Sequence, residues 1–260
     1  MKSDNNFIKV VGEVKRRSPL VVQITNFVSA SFQAASTLAI GAHPMMPVSE
    51  MEIEEILSKA DSLLVNIGTI DEGRMNCIRR AIRYAKDEGI PVVLDPVGCG
   101  VSEMRRKLVF ELLNVGGICI VKGNAGEILS IYGLGGLAKG VDSAPYDVLE
   151  GEVENIVRSL ALNYNCVFAM TGRENIVSDG SKVSKIVGGE RIMAYVTGMG
   201  CALGSIMAAF LTVVDPWLSA ICALELFSEI SKRAYSKSKG PGSFKESFLD
   251  ELYLLWEGYV

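Results

Sequence analysis

Short apolar runs along the chain alternate with longer stretches in which apolar positions recur every three to four residues. The short runs are Leu20–Ile24, Ser62–Ile67, Pro91–Asp95, Gly117–Val121 and Cys166–Thr171. Their cores (SLLVNI, IPVVLD, GICIVK, CVFAM) are apolar on both faces, as strands are when helices cover a parallel sheet on each side. Helices are expected over Glu50–Ala60, Gly73–Glu88 and Val148–Asn163, the second of them stopped by Gly89 with Pro91 beyond. The order is βαβα, with right-handed crossovers. Glu174–Ala194 has another texture. It alternates at period two and carries Asp179-Gly180, a hairpin signal, which predicts antiparallel strands added at one edge of the sheet. From Cys201 onward the pattern is helical. Asp215-Pro216 reads as an N-cap and a first-turn proline. Ser243 with Glu246 predicts a capping box before a last helix over Phe244–Trp256. No repeat or linker interrupts the chain, so residues 1–260 are expected to form a single domain. Gly133–Ser143, rich in glycine, is its weakest connection.

Hydrophobic residues make up 49% of the 260 residues, enough for a large core. A net charge of −4 argues against nucleic acid or an anionic membrane as the main partner, since both call for a basic patch. Residues 1–10 (MKSDNNFIKV) lack the apolar stretch of a signal peptide, and no apolar run has membrane-spanning length. A cytoplasmic protein is expected. Six cysteines without CxxC spacing and a single histidine, His43, fit neither a disulfide scaffold nor a zinc site. His43, beside Pro44, is expected in a loop near the binding pocket. Cys99 is expected to be a buried filler.

Ligands of open α/β sheets bind off the carboxyl ends of the strands. Those ends are chemically loaded here: Asn26 after the first strand, Asn66 and Thr69 after the second, Asp95 after the third, Lys122 and Asn124 after the fourth, Thr171 and Gly172 after the fifth. Glu127 lies three residues beyond Asn124. Taken alone, the pair reads as an N-cap with its capping partner. Two carboxylates and an amide are also hard oxygen donors that suit Mg²⁺ beside nucleotide phosphates.

VTGMGCALGS, residues 196–205, places Gly198-Met199-Gly200-Cys201 before a helix. Amides at a helix start bind anions, and glycine allows close backbone approach. Gly198, Met199, Gly200 and Cys201 are therefore a candidate anion hole for a phosphoryl group in transfer. Cys201 would sit at the helix N-terminus, where a thiol's pKa tends to fall, placed to take a proton from an acceptor hydroxyl. The alternative is a tight turn followed by a buried cysteine. Neither a P-loop nor a GxGxxG fingerprint is present, Gly198, Gly200 and Gly204 being spaced GxGxxxG.

Taken in order, ITNFV, LAIGAHPMM, NIGT, PVVLDPVGCG, KGNAGEI, KGVDS, MTGREN, VTGMGC and GPGSF resemble segments of the hydroxyethylthiazole kinases, thiamine-salvage enzymes of the ribokinase-like superfamily. The resemblance runs over nearly the whole chain. It implies a three-layer α/β sandwich with a mainly parallel sheet, an antiparallel edge and helices on both faces. It implies that ATP phosphorylates the primary alcohol of 4-methyl-5-(2-hydroxyethyl)thiazole. By position, Cys201 matches the catalytic cysteine, and Met46, Gly198 and Asn26 the substrate side. Lys122 and Thr171 match ATP-contacting positions, and Asp95 and Glu127 the magnesium neighbourhood. The family's trimers, with sites between subunits, would set Asn26 and Met46 opposite another subunit's Cys201.

The sequence departs from the family pattern at Gln23, where a nearby histidine or cysteine is common, and at Met199, which stands for threonine or serine. Lys122 often appears as arginine; lysine keeps the charge without the bidentate fork. Three alternatives stay open from sequence: a hydroxymethylpyrimidine-type kinase, a nicotinamide-nucleotide hydrate dehydratase and a non-catalytic nucleotide binder. GxGC in place of GxGD weighs against the first two.

Overall fold

A computed structural model describes residues 6–134 and 150–257 of the chain. KGVDS and most of Gly133–Ser143 lie outside the described residues, as do the first residues of the helix expected from Val148. Eight strands form one sheet: β1 Leu20–Ile24, β2 His43–Met45, β3 Ser62–Asn66, β4 Val92–Asp95, β5 Ile118–Asn124, β6 Val167–Thr171, β7 Glu174–Ser178 and β8 Val183–Val187, in spatial order 2-1-3-4-5-6-7-8. Strands β1 to β6 run parallel; β7 and β8 continue the sheet antiparallel. The helices are α1 Asn6–Arg17, α2 Ala30–Ala39, α3 Ile53–Leu57, α4 Glu72–Asp87, α5 Glu103–Val115, α6 Ala125–Tyr132, α7 Glu150–Tyr164, α8 Met199–Phe210, α9 Pro216–Lys237 and α10 Pro241–Glu257, with a 3₁₀ turn at Arg191–Tyr195.

Alternation along the strands divides the core in two. Val21, Leu64, Val93, Ile120 and Ala169 pack with residues of α1, α2, α8, α9 and α10. Val22, Leu63, Val65, Leu94, Val121 and Phe168 pack with α3 to α7. Three layers result, and every central strand is apolar on both faces for that reason.

Five local readings change. The helix expected over Glu50–Ala60 is only Ile53–Leu57, with Ile53 and Leu57 fully buried and Ile56 partly so. The fourth strand extends past Val121 to Asn124, held by pairing with β6 through Asn124↔Thr171. His43 is no loop residue: it opens edge strand β2 and pairs with Leu20. The last helix starts at Pro241, so Ser243 lies inside its first turn. There its hydroxyl oxygen accepts from Lys239 N at 2.8 Å and Gly240 N at 3.2 Å, reaching back toward the start instead of capping Glu246. Finally, α1, α2 and α5 escape the sequence reading. Phe7, Val10, Val11 and Val14 of α1 and Leu108, Val109, Leu112 and Leu113 of α5 do keep helical spacing, whereas the buried stripe of α2 (Phe32, Gln33, Ser36 and Thr37) is mostly polar.

Candidate active site

Period-two geometry brings the site together. Asn66 follows Leu64 by two residues, Asp95 follows Val93, Lys122 follows Ile120 and Gln23 follows Val21. All four therefore point to the α8 face of the sheet. The register sets Asn66 beside Asp95. Helix α8 crosses above them, packed on β1, β3 and β4. Its N-cap, Gly198, takes φ +95, a left-handed conformation that glycine adopts without strain. An added Cβ there would lie 3.0 Å from Ser29 Cβ. Cys201 thus falls in the first turn of a twelve-residue helix.

Cys201 Sγ accepts from Asn66 Nδ2 at 3.2 Å and Asn26 Nδ2 at 3.4 Å. Burial pushes its pKa up and nearby Asp95 adds to this, against Lys122 and the hydrogen bonds from Ser29 and Asn26. The fall expected from a helix N-terminus is therefore outweighed, because the thiol is withdrawn from water beside a carboxylate. Asp95 and Lys122 form an ion pair, Nζ to Oδ1 at 3.0 Å, with side chains 0% and 4% exposed. Burial works against the Lys122 charge, and Asp95, Cys201 and Glu127 outweigh it to raise its pKa. Asp95 is itself pushed up by burial, against Lys122 and Asn66. Lys122 Nζ also donates to Gly200 O at 3.0 Å, which ties the sheet to the glycine loop.

Asn124 and Glu127 form the capping box that their spacing predicts: Glu127 N donates to Asn124 Oδ1 at 2.9 Å and Asn124 N to Glu127 Oε2 at 2.8 Å. Glu127 Oε1 accepts from Gly98 N at 2.9 Å, joining the α6 start to the β4 loop. Burial and Asp95 push this carboxyl up to about 7, against Lys122 and both amides. Cys99 is buried, with Sγ donating to Glu127 O at 3.4 Å, in keeping with a filler role. Thr171, at the β6 end, donates to Gly123 O at 3.3 Å. Met46 follows edge strand β2, one strand out from Asn26.

Sequence comparison matches residues 11–257 to the hydroxyethylthiazole kinase family. The chain belongs to this family. It is 40% identical to the hydroxyethylthiazole kinase of Pyrococcus furiosus over 247 residues, 95% of this chain and 92% of that protein. It is 39% identical to the one from Brachyspira hyodysenteriae over 245 residues, 94% and 92% of the two chains. The solved structure of the Pyrococcus horikoshii hydroxyethylthiazole kinase superposes with a TM-score of 0.87 at 35% identity, covering 95% of this chain and 92% of that one. Pyridoxal kinase from Staphylococcus aureus shares the fold alone, at TM-score 0.63 and 14% identity over 82% of this chain and 88% of that one.

One expectation for a family member changes with the geometry. Asn26 touches Cys201 of its own chain, where the resemblance set it opposite another subunit's cysteine. The cause is topological: β1 and β3 are neighbours, and α8 spans both.

Two carboxylates can serve a divalent cation, within limits that the hydrogen bonds set. Each Glu127 oxygen already accepts one amide, and Asp95 Oδ2 accepts from Asn66 at 2.7 Å. Asp95 Oδ1 meets Lys122 without an aligned hydrogen bond. Among the described residues no group of three acidic, histidine or cysteine side chains could hold a metal. The donor set fits Mg²⁺ carried on nucleotide phosphates and held through water, and not a protein cage.

Three residues escaped the search for candidates. Ser29, the α2 N-cap, lies beside Cys201 and works to lower its pKa. Arg74 Nη1 donates to Thr25 O at 2.7 Å and Thr69 O at 3.1 Å; Arg105 Nη1 donates to Val97 O at 3.0 Å and also to Ile67 O. The two arginines brace the loops after β1, β3 and β4. Each sits in the first turn of its helix, where the dipole disfavours a cation. That mismatch is the signal that could have found them.

Proposed function

We propose that this chain transfers the γ-phosphoryl group of ATP to the primary hydroxyl of 4-methyl-5-(2-hydroxyethyl)thiazole. Family membership supplies the reaction. The observation that carries it to named residues is Cys201 Sγ, set in the first turn of glycine-opened α8 and faced by two amide donors.

In this reading the acceptor oxygen attacks phosphorus, the bond to the ADP oxygen breaks and the alcohol proton passes to Sγ of the thiolate form of Cys201. Gly198 keeps the chain tightly turned. The amides of Gly200 and Cys201 lie in the first helical turn, where no earlier turn supplies an acceptor, and they face the developing charge. Met199 N contributes less, since it makes a long 3.5 Å contact with Val196 O. Because such transfers are loose, positioning contributes more than proton removal. Asn26, Met46 and Gly198 form the thiazole side, and a soft methionine suits a flat sulfur heterocycle. Lys122 and Thr171 serve ATP, Lys122 from beneath the glycine loop. Mg²⁺, when bound, offsets phosphate charge, and Asp95 and Glu127 are the residues that would hold its waters.

The reading includes a cytoplasmic homotrimer. Phe27, Val28, Val48 and Met51 are strongly exposed near the β1 and β2 ends, an apolar rim that self-association would cover. Light scattering should return three chain masses.

Purified protein with Mg-ATP and hydroxyethylthiazole, beside hydroxymethylpyrimidine, tests the reaction by mass spectrometry. Thiazole phosphate alone is expected. Phosphorylation of the pyrimidine alone, or of neither alcohol while ATP still binds, would overturn the assignment.

A further inference from the structure

Asn66 is fully buried at the end of β3, and no catalytic or binding role has been attached to it above. Its amide has two N–H donors and an oxygen that can accept twice. All four capacities are used. Nδ2 donates to Asp95 Oδ2 at 2.7 Å and to Cys201 Sγ at 3.2 Å. Oδ1 accepts from Asn26 Nδ2 at 2.9 Å and from Gly68 N at 2.9 Å. A flipped amide would turn its oxygen toward the Asp95 carboxylate and set its NH₂ against two donors. One orientation alone satisfies the network, so the side chain is locked. Gly68 keeps Asn26 in place from the other side, since a Cβ there would lie 2.8 Å from Asn26 Cβ and Nδ2.

We infer that Asn66 is the positioning residue of the site: it fixes the Cys201 sulfur relative to the Asp95–Lys122 pair and to Asn26. This inference rests on the kinase reading above. Asn66 touches neither the alcohol nor the nucleotide in that reading; it acts through Cys201. The two amide N–H groups hold Sγ at a set place, where its thiolate form can take the alcohol proton. Loss of either donor lets the thiol leave that place, which lowers turnover more than substrate affinity.

A double-mutant cycle is the test. Asn66→Ala should lower kcat by about 10- to 100-fold with the thiazole KM within about threefold. In a Cys201→Ala background the same change should cost less than about threefold, because its target is gone. Asn66→Asp keeps both acceptor contacts and replaces the donors, so it should lose as much as Asn66→Ala. Equal losses in the two backgrounds, or full activity of Asn66→Asp, would overturn the inference in favour of a structural role. Circular dichroism checks that each variant folds. A second measurement needs no Asn66 variant: in ¹⁵N-labelled protein, Cys201→Ala should shift the Asn66 side-chain amide resonances. An unmoved pair would overturn the contact. Wild-type protein that makes no thiazole phosphate would sink the kinase reading, while the amide shift would still report on the contact.

Discussion

At Cys201 two influences oppose each other. The helix start and the donors Asn26, Asn66 and Ser29 favour a thiolate, whereas burial and Asp95 favour the thiol, and the thiol wins in the free site. Cys201 is therefore largely protonated at neutral pH. If it accepts the alcohol proton, wild-type kcat/KM should climb as pH rises from about 7 to 9. Cys201→Ala should retain measurable activity, reduced by about 10- to 100-fold, with that climb flattened. Complete loss with the fold intact would make the base, and not the loop, the main catalyst. Lys122 belongs to the same scale. Removing it strands the buried Asp95 carboxylate, so Lys122→Ala should cost about 3–5 kcal/mol in urea unfolding. A loss under 1 kcal/mol would mean that water enters and the pair is not truly buried. Asn66 and Asp95 were visible as polar strand ends. Their shared rim was legible, but the common face they take, two residues beyond Leu64 and Val93, and the helix that covers it were not.

At the scale of elements, the α8 start depends on one backbone conformation. Gly198→Ala forces an L-residue into a left-handed conformation and a Cβ to 3.0 Å from Ser29 Cβ. A cost of about 1–2 kcal/mol is expected in the urea midpoint. Activity should fall further, since the first-turn amides shift with the cap. An unchanged midpoint would show that the turn relaxes. Asn124 and Glu127 show how local chemistry can serve two ends. Their capping box follows from spacing alone, and it also delivers Glu127 to Gly98 and the Asp95 neighbourhood. The hairpin was legible from Asp179-Gly180, and β7 and β8 flank that turn. The short α3 was not, because it packs on α4, a contact that no local pattern records.

Across the whole molecule, Glu127 links the site to stability. Its carboxyl is held at about 7 when folded, against about 4.3 in an unfolded chain. Between those values the folded protein keeps a proton that the unfolded chain has lost. Its contribution to stability is thus fully present below the lower value and is lost as pH rises through the upper one. The melting temperature of nucleotide-free protein should fall between pH 5 and pH 7.5 through this group, and Glu127→Gln should flatten the slope. An identical slope in the variant would remove Glu127 from the account. The sequence by itself determined the order of the five parallel strands β1, β3, β4, β5 and β6, the helices α4, α7, α9 and α10, the antiparallel edge, the capping of α6 and the glycine-opened start of α8. These are local matters of periodicity, turn chemistry and backbone freedom, acting over a few residues. Only the tertiary structure decided that Asn26, Asn66, Asp95, Lys122 and Cys201, distant in the chain, meet beneath one helix. It also decided that Asn26 belongs to its own chain's cysteine and that the thiol's pKa rises. Those outcomes depend on strand neighbours, on which helix crosses them and on how much water they leave, and no local pattern records that.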